Sequence, residues 1–151
     1  MDYALSILFA FAVAATLGGL LKLSRKRARE KAATVDEEVL YEARSVPVRV
    51  MLDHDMLGGP AAGKINRADA DLILTAKRIV VATHHGRVLE IRKDQGGSVR
   101  STGPGRLVLE GVRMRPSGDS KVRIECHLPE SEVWADKAAK ILSTSRSALA
   151  G

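Results

Sequence analysis

Four groups of residues in this chain carry side chains capable of chemistry, and spacing decides what each can do. Residues 58–65 read Gly-Gly-Pro-Ala-Ala-Gly-Lys-Ile, which reproduces the Gly, four residues, Gly, Lys spacing of a phosphate-binding loop. Such a loop needs Ser or Thr after the Lys to hold magnesium, and then a helix whose N-terminus faces the phosphate. Position 65 is Ile, and Asn66, Arg67, Ala68 and Asp69 lead directly into a strand-like run, so the stretch reads as a glycine-rich loop. Asp53, His54, Asp55, His84, His85 and His127 supply nitrogen and oxygen donors, but no metal-ligand spacing relates them. His84 and His85 precede Gly86, an ordinary turn position. Cys126, the single cysteine, excludes an intramolecular disulfide and a multi-cysteine metal site, and it falls at an inward position of an alternating strand where a thiol acts as a small apolar group. No Ser-His-Asp arrangement rises above chance. Neither catalytic residues nor a metal or cofactor are expected. The fourth group is cationic: Arg25, Lys26, Arg27, Arg29 and Lys31 in one cluster, and Arg92, Lys93, Arg113 and Arg115 within a second basic region.

The first cluster follows an apolar run. Residues 4–21 are eighteen positions without a charge, about 27 Å as a helix at roughly 1.5 Å per residue. That length predicts a transmembrane helix over residues 1–23, with Lys22 snorkelling. A signal peptide would carry its positive charge before the apolar region, the reverse of the order here. Only Asp2 precedes the run and the basic residues follow it, so the positive-inside rule places the N-terminus outside and the remainder in the cytoplasm, at an inner or plasma membrane. Arg25, Lys26, Arg27, Arg29 and Lys31 would then lie against anionic headgroups, at about 1 kcal/mol each near the surface. Ala10, Ala14 and Gly18 recur every four residues, the spacing of helix-packing faces.

Charge is unevenly distributed in the 151-residue chain: residues 1–35 carry six Lys or Arg against two acids, and the rest carries eighteen against sixteen, for the total of +6. Few aromatics follow the apolar run, only Tyr41 and Trp134, which argues against nucleic acid because single-strand binders need exposed stacking platforms. The stretch 87–123 has nine basic residues against four acids, and Arg92, Lys93, Arg113 and Arg115 are its candidate binding patch.

Residues 24–38 read as a basic linker, helical as far as Ala33. From residue 39 the pattern changes to short β-like runs at 39–44, 46–52, 71–75, 78–83, 87–92, 98–102, 106–110 and 121–128, separated by Gly, Pro, Asp and Ser turns. In the last run Val122, Ile124, Cys126 and Leu128 alternate with Lys121, Arg123, Glu125 and His127, which makes one face core and the other solvent. A helix follows Pro129, with Trp134, Ala138, Ile141 and Leu142 on one stripe, and residues 144–151 form a polar tail. The expected architecture over 39–143 is mainly β, a small antiparallel barrel or sandwich capped by one C-terminal helix and preceded by one transmembrane helix.

At that point the chain resembles bacterial pleckstrin-homology-like (PH-like) and GRAM-like domains. The resemblance rests on Glu37-Glu38-Val39-Leu40-Tyr41-Glu42 as an opening strand and on Ala70-Asp71-Leu72-Ile73-Leu74-Thr75-Ala76-Lys77-Arg78-Ile79-Val80-Val81 as a strand pair. Ser131-Glu132-Val133-Trp134 matches the start of the closing helix. The resemblance implies a binding or scaffolding domain with no catalytic residues. Its lipid-binding members carry basic early loops, where this chain has Asp53, His54 and Asp55 and then glycines. The expectation is therefore a scaffold or accessory subunit in a membrane assembly, with membrane lipids and another membrane protein as partners. A peripheral module sensing anionic lipid is the alternative, and a nucleotide-dependent enzyme built on residues 58–64 the remaining one.

Overall fold

Strand after strand in this chain alternates small apolar and charged side chains, and each adds its apolar face to one core. A computed structural model describes residues 2–53, 66–113 and 120–143, with side chains described at Ile7 and from residue 10 onward, Asp53 and Asn66 excepted. Helix α1 (Asp2–Ala33) is followed by seven strands: β1 (Val39–Asp53), β2 (Asn66–Thr75), β3 (Arg78–Thr83), β4 (Gly86–Arg92), β5 (Ser98–Gly103), β6 (Arg106–Arg113) and β7 (Ser120–His127). Helix α2 (Ser131–Ser143) completes the described chain. The strands form one antiparallel sheet in the order β4-β3-β2-β1-β7-β6-β5. It curls into a half-barrel, so β4 meets β6 across the core at Gly111, where a Cβ would stand 2.9 Å from the Leu89 Cδ1.

Two runs expected as separate strands, 39–44 and 46–52, are one strand with a bulge. The register of β1 against β2 shifts between Ala43 and Val46, and Ser45 adopts φ 54°, unusual for a residue with a side chain. The bulge bends β1 and lets its second half, from Val48 to Asp53, pair with β7 as well as β2. β1 therefore joins the two halves of the sheet.

The inner face carries Val46, Val48 and Val50, Leu72 and Leu74, Ile79 and Val81, Leu89 and Ile91, Leu107 and Leu109, and Val122, Ile124 and Cys126, all buried. Helix α2 closes the open end of this core. The Ser131 side chain bonds back to the sheet, its Oγ lying 3.2 Å from the Ser101 Oγ and donating to the Gly103 carbonyl at 3.4 Å. Trp134, 1% exposed, packs edge-on to Tyr41 with ring centroids 5.3 Å apart. Tyr41 donates its hydroxyl to Glu130 at 2.6 Å, and the Glu130 carboxylate raises the Tyr41 pKa. Lys137 covers the same ring from 3.6 Å.

The mainly β domain with its C-terminal helix stands, whereas the preceding transmembrane helix does not. Among the described residues, no helix is long and apolar enough to cross a membrane. After Lys22 and Leu23 the same helix carries Arg25, Lys26, Arg27, Arg29 and Lys31, and its end is fastened to the sheet. The single-pass placement with an outside N-terminus and a cytoplasmic domain rested on that span and falls with it.

Because Trp134 is the largest side chain sealing the half-barrel, Trp134→Ala should cost about 3–5 kcal/mol. Urea unfolding followed by far-UV circular dichroism measures this, and a loss below about 1 kcal/mol would contradict the role given to the ring.

Candidate functional site

Helix α1 ends against the outer face of the sheet. Ala33 is buried there with Ile73, Val80 and Ala82, flanked by Ala32 and Val35, a patch of small side chains that brings the helix close to β2 and β3. Arg87 of β4 ties down the same end, donating from Nε to the Ala32 carbonyl at 3.0 Å and from a terminal nitrogen to the Thr34 carbonyl at 2.6 Å. One turn earlier Arg29 meets Asp71, whose side chain is 1% exposed, at 2.9 Å. The other Asp71 oxygen accepts from Arg44 at 3.1 Å, and the Ser45 backbone N–H donates to Asp71 at 2.9 Å. Arg29 also donates to the Ser45 hydroxyl at 2.7 Å. A buried carboxylate needs such a set of partners, since an unpaired one would be strongly disfavoured.

N-terminal to Arg29 the helix leaves the sheet and a groove of about 1180 Å³ opens beneath it. One wall is the face of α1 bearing Lys22, Arg25, Lys26 and Arg29, a stripe at helical spacing. The floor is the outer face of β2, β1, β7 and β6, with Arg67, Arg49, Arg123 and Arg106 among its side chains. Both walls are cationic: eight Lys or Arg line the groove, against Asp69 and Glu125 alone.

The pairing of these cations separates structural from available ones. Lys26 lies 3.9 Å from Glu30, Arg29 is held by Asp71, and Arg123 contacts Glu110 and Glu125 at 3.4 and 3.0 Å. Among the described residues Lys22, Arg25, Arg49, Arg67 and Arg106 form no ion pair. Arg49 and Arg67 stand directly opposite each other in the β1–β2 ladder, an arrangement that destabilises when both charges are alike. The other opposed arginine pair, Arg78 and Arg92 of β3 and β4, is bridged by Glu90 at 3.0 and 2.6 Å, and Glu37 adds a contact to Arg78 at 3.3 Å. Burial opposes ionisation of Glu90, yet Arg92 and Arg78 hold its carboxyl below the usual range. Thus one opposed pair is bridged by a carboxylate, whereas the other makes no ion pair among the described residues, although Glu125 stands opposite Arg49 in the β1–β7 ladder, and it faces an open groove.

His84 lies on the same rim. Its pKa is lowered, first by burial and then by the neighbouring His85, Arg25 and Arg29, with Asp69 acting in the opposite direction. The two imidazoles sit 3.8 Å apart between centroids. Pro47 and Val108 form part of the apolar floor, while Cys126 belongs to the inner core, where burial pushes its thiol up to about 12.

The residues singled out in the sequence are distributed unequally. Arg25, Lys26 and Arg29 form the helical wall, whereas Arg27 and Lys31 are exposed elsewhere on α1 and do not line the groove. Arg92 is engaged by Glu90, Lys93 lies in the turn after β4, and Arg113 ends β6 opposite Ser120; none of these three lines the groove. Arg115, His54, Asp55 and the glycine-rich stretch 58–65 lie outside the described residues. No group of three or more His, Cys, Asp and Glu able to hold a metal occurs among the described residues. Arg49, Arg67 and Arg106 were not singled out as site residues. Their alternation with buried Val48, Val50 and Leu107 marks them as outward, but only the strand register brings them together.

No protein-family model matches the chain, and no curated protein matches it.

Two measurements test this geometry. Because the native environment disfavours the His84 imidazolium, native His84 should titrate below its ordinary value of 6.5. Folding stability should then fall as pH drops through and below 6.5, since the unfolded state binds the proton more readily, and His84→Gln should flatten that fall. Two-dimensional NMR titration and urea melts at several pH values read both. Separately, Cys126 should resist thiol reagents at pH 8 until the protein unfolds, its labelling following the denaturant transition; rapid native labelling would contradict the burial.

Proposed function

We propose that this protein is a non-catalytic binding domain of PH-like architecture, and that its groove docks the domain on an anionic lipid surface. The observation that carries the reading is the arginine pair Arg49 and Arg67, which makes no ion pair among the described residues and faces Lys22 and Arg25 of α1. Five cations on two walls repel one another unless an anion lies between them, and Coulomb attraction to such an anion is stronger in a groove than on an open surface. The seven-stranded order with one closing C-terminal helix supports the PH-like resemblance, alongside the strand and helix motifs quoted above.

Lipid headgroups are favoured over another polyanion by what lies next to the groove. Phe11, Leu17, Leu20, Leu21 and Leu23 of α1 are exposed, directly before and among the first basic residues. Apolar area beside cations is the composition that holds a protein on an acidic membrane. In this reading α1 lies at the headgroup boundary and does not cross. The same exposed side chains favour a second reading, a scaffold whose α1 is covered by a protein partner.

Co-sedimentation of the full chain with phosphatidylcholine vesicles, with and without phosphatidylserine, at low and high salt, separates them. Lipid docking predicts binding that needs phosphatidylserine and weakens with salt. Replacing Arg49 and Arg67 together by Ala should lower affinity roughly 25-fold, at about 1 kcal/mol per basic residue. Equal binding to neutral vesicles, or indifference to the double substitution, would remove the groove from the mechanism. Failure to bind either vesicle, with discrete heteromeric complexes in solution, would favour the scaffold.

A further inference from the structure

The two walls of the groove belong to elements joined at very few points. Among the described residues, no hydrogen bond or ion pair links α1 to the sheet N-terminal to Arg29. Everything that fastens the helix lies between Arg29 and Thr34: the Ala33 patch, the two carbonyl bonds from Arg87, and the Arg29 contacts with Asp71 and Ser45. The Ala33 patch consists of small side chains and could serve as a pivot, and Arg87 grips backbone carbonyls beyond it. Arg29 is the one side chain that holds the helix a full turn away from that pivot, and a second fixed point is what sets the direction of a rigid rod.

We propose that Asp71 is a positioning residue for the groove, fixing the pitch of α1 through Arg29 and thereby holding Lys22 and Arg25 over Arg49 and Arg67. Asp71 is suited to this because it is itself immobile. It belongs to β2, is 1% exposed, and its two oxygens are also bound by Arg44 and by the Ser45 N–H at the β1 bulge. Arg29 Nε is buried and has no hydrogen bond of good geometry, so its 2.9 Å approach to Asp71 is held by charge. Without that charge nothing else receives the guanidinium except the Ser45 hydroxyl. Lys22 is eleven residues from the Ala33 pivot, about 16 Å along the axis, so a tilt of about 15° moves it by about 4 Å. That displacement is enough to remove it from contact with an anion seated on Arg49 and Arg67.

The inference deepens the proposed groove, but its first test does not depend on any ligand. Full-length protein carrying Cys126→Ala, Lys22→Cys and Arg106→Cys is spin-labelled across the groove. The label-to-label distance should be narrowly distributed, and Asp71→Asn should broaden or shift it while far-UV circular dichroism still reports the sheet. If Asp71→Asn fails to fold, Arg29→Met takes its place, since it removes the helical side of the contact and leaves Asp71 with Arg44 and Ser45. A distance distribution unchanged by whichever variant folds would overturn the proposal. The second test is a cycle read on phosphatidylserine vesicles. Lys22→Ala with Arg25→Ala should weaken binding roughly 25-fold in the otherwise native chain and less than about 3-fold in the Asp71→Asn background. Arg49→Ala with Arg67→Ala should keep its effect in both. Additive effects would show that Asp71 acts on stability alone. Absence of vesicle binding by the native chain would strike the groove reading and leave the distance result standing.

Discussion

One buried carboxylate connects the parts of this structure that have no other reason to be held together. Asp71 caps the Ser45 N–H at the bulge in β1, and that bulge is where one strand bends to pair with both β2 and β7. The same carboxylate takes Arg44 from β1 and Arg29 from α1. A non-glycine residue at φ 54° carries a conformational penalty, and a fixed acceptor for its N–H offsets part of it. Loss of the carboxylate would strand two guanidinium groups beside a buried position, so its removal affects sheet curvature and helix placement at once.

Charge pairing elsewhere in the molecule gives the groove its meaning. On the outer face of β3 and β4 an opposed arginine pair has Glu90 between its members, and Arg100 and Arg123 share Glu110. The fold therefore supplies carboxylates where arginines crowd. Between Arg49 and Arg67 the nearest cross-strand acid, Glu125, is engaged by Arg123, and α1 contributes further cations from above. With Asp69 and Glu125 the only acids lining the groove among the described residues, against eight cations, an external anion there is stabilised by several kT of potential.

Much of the β domain was legible in the residue pattern. Val122, Ile124 and Cys126 announced an inward face, and Trp134 with Ala138 announced the stripe of α2, because alternation and helical periodicity follow directly from backbone geometry. The bulge was not legible, since Ser45 is compatible with a turn between two strands, and only the cross-strand register makes 39–53 one element. The apolar run of α1 was read as a membrane span because residue counts treat the whole run as one rod. The described structure supports no spanning helix. It also puts the basic residues beyond the run to use within the fold, Arg29 on Asp71 and Ala33 on Ile73 and Val80.

The sequence by itself determined which faces are apolar, where the strands and the closing helix lie, and that the chain is rich in arginine with few acids near residues 22–29. It could not determine which arginines are neutralised. Arg29 and Arg25 differ by one turn of helix, yet one is pinned to a buried aspartate and the other faces an open groove. Arg78–Arg92 and Arg49–Arg67 are equivalent as residue types, yet one pair is bridged by a carboxylate and the other makes no ion pair among the described residues. The tertiary structure decided this because Coulomb energy depends on distance and dielectric between groups far apart in the chain, which strand register and helix docking alone set.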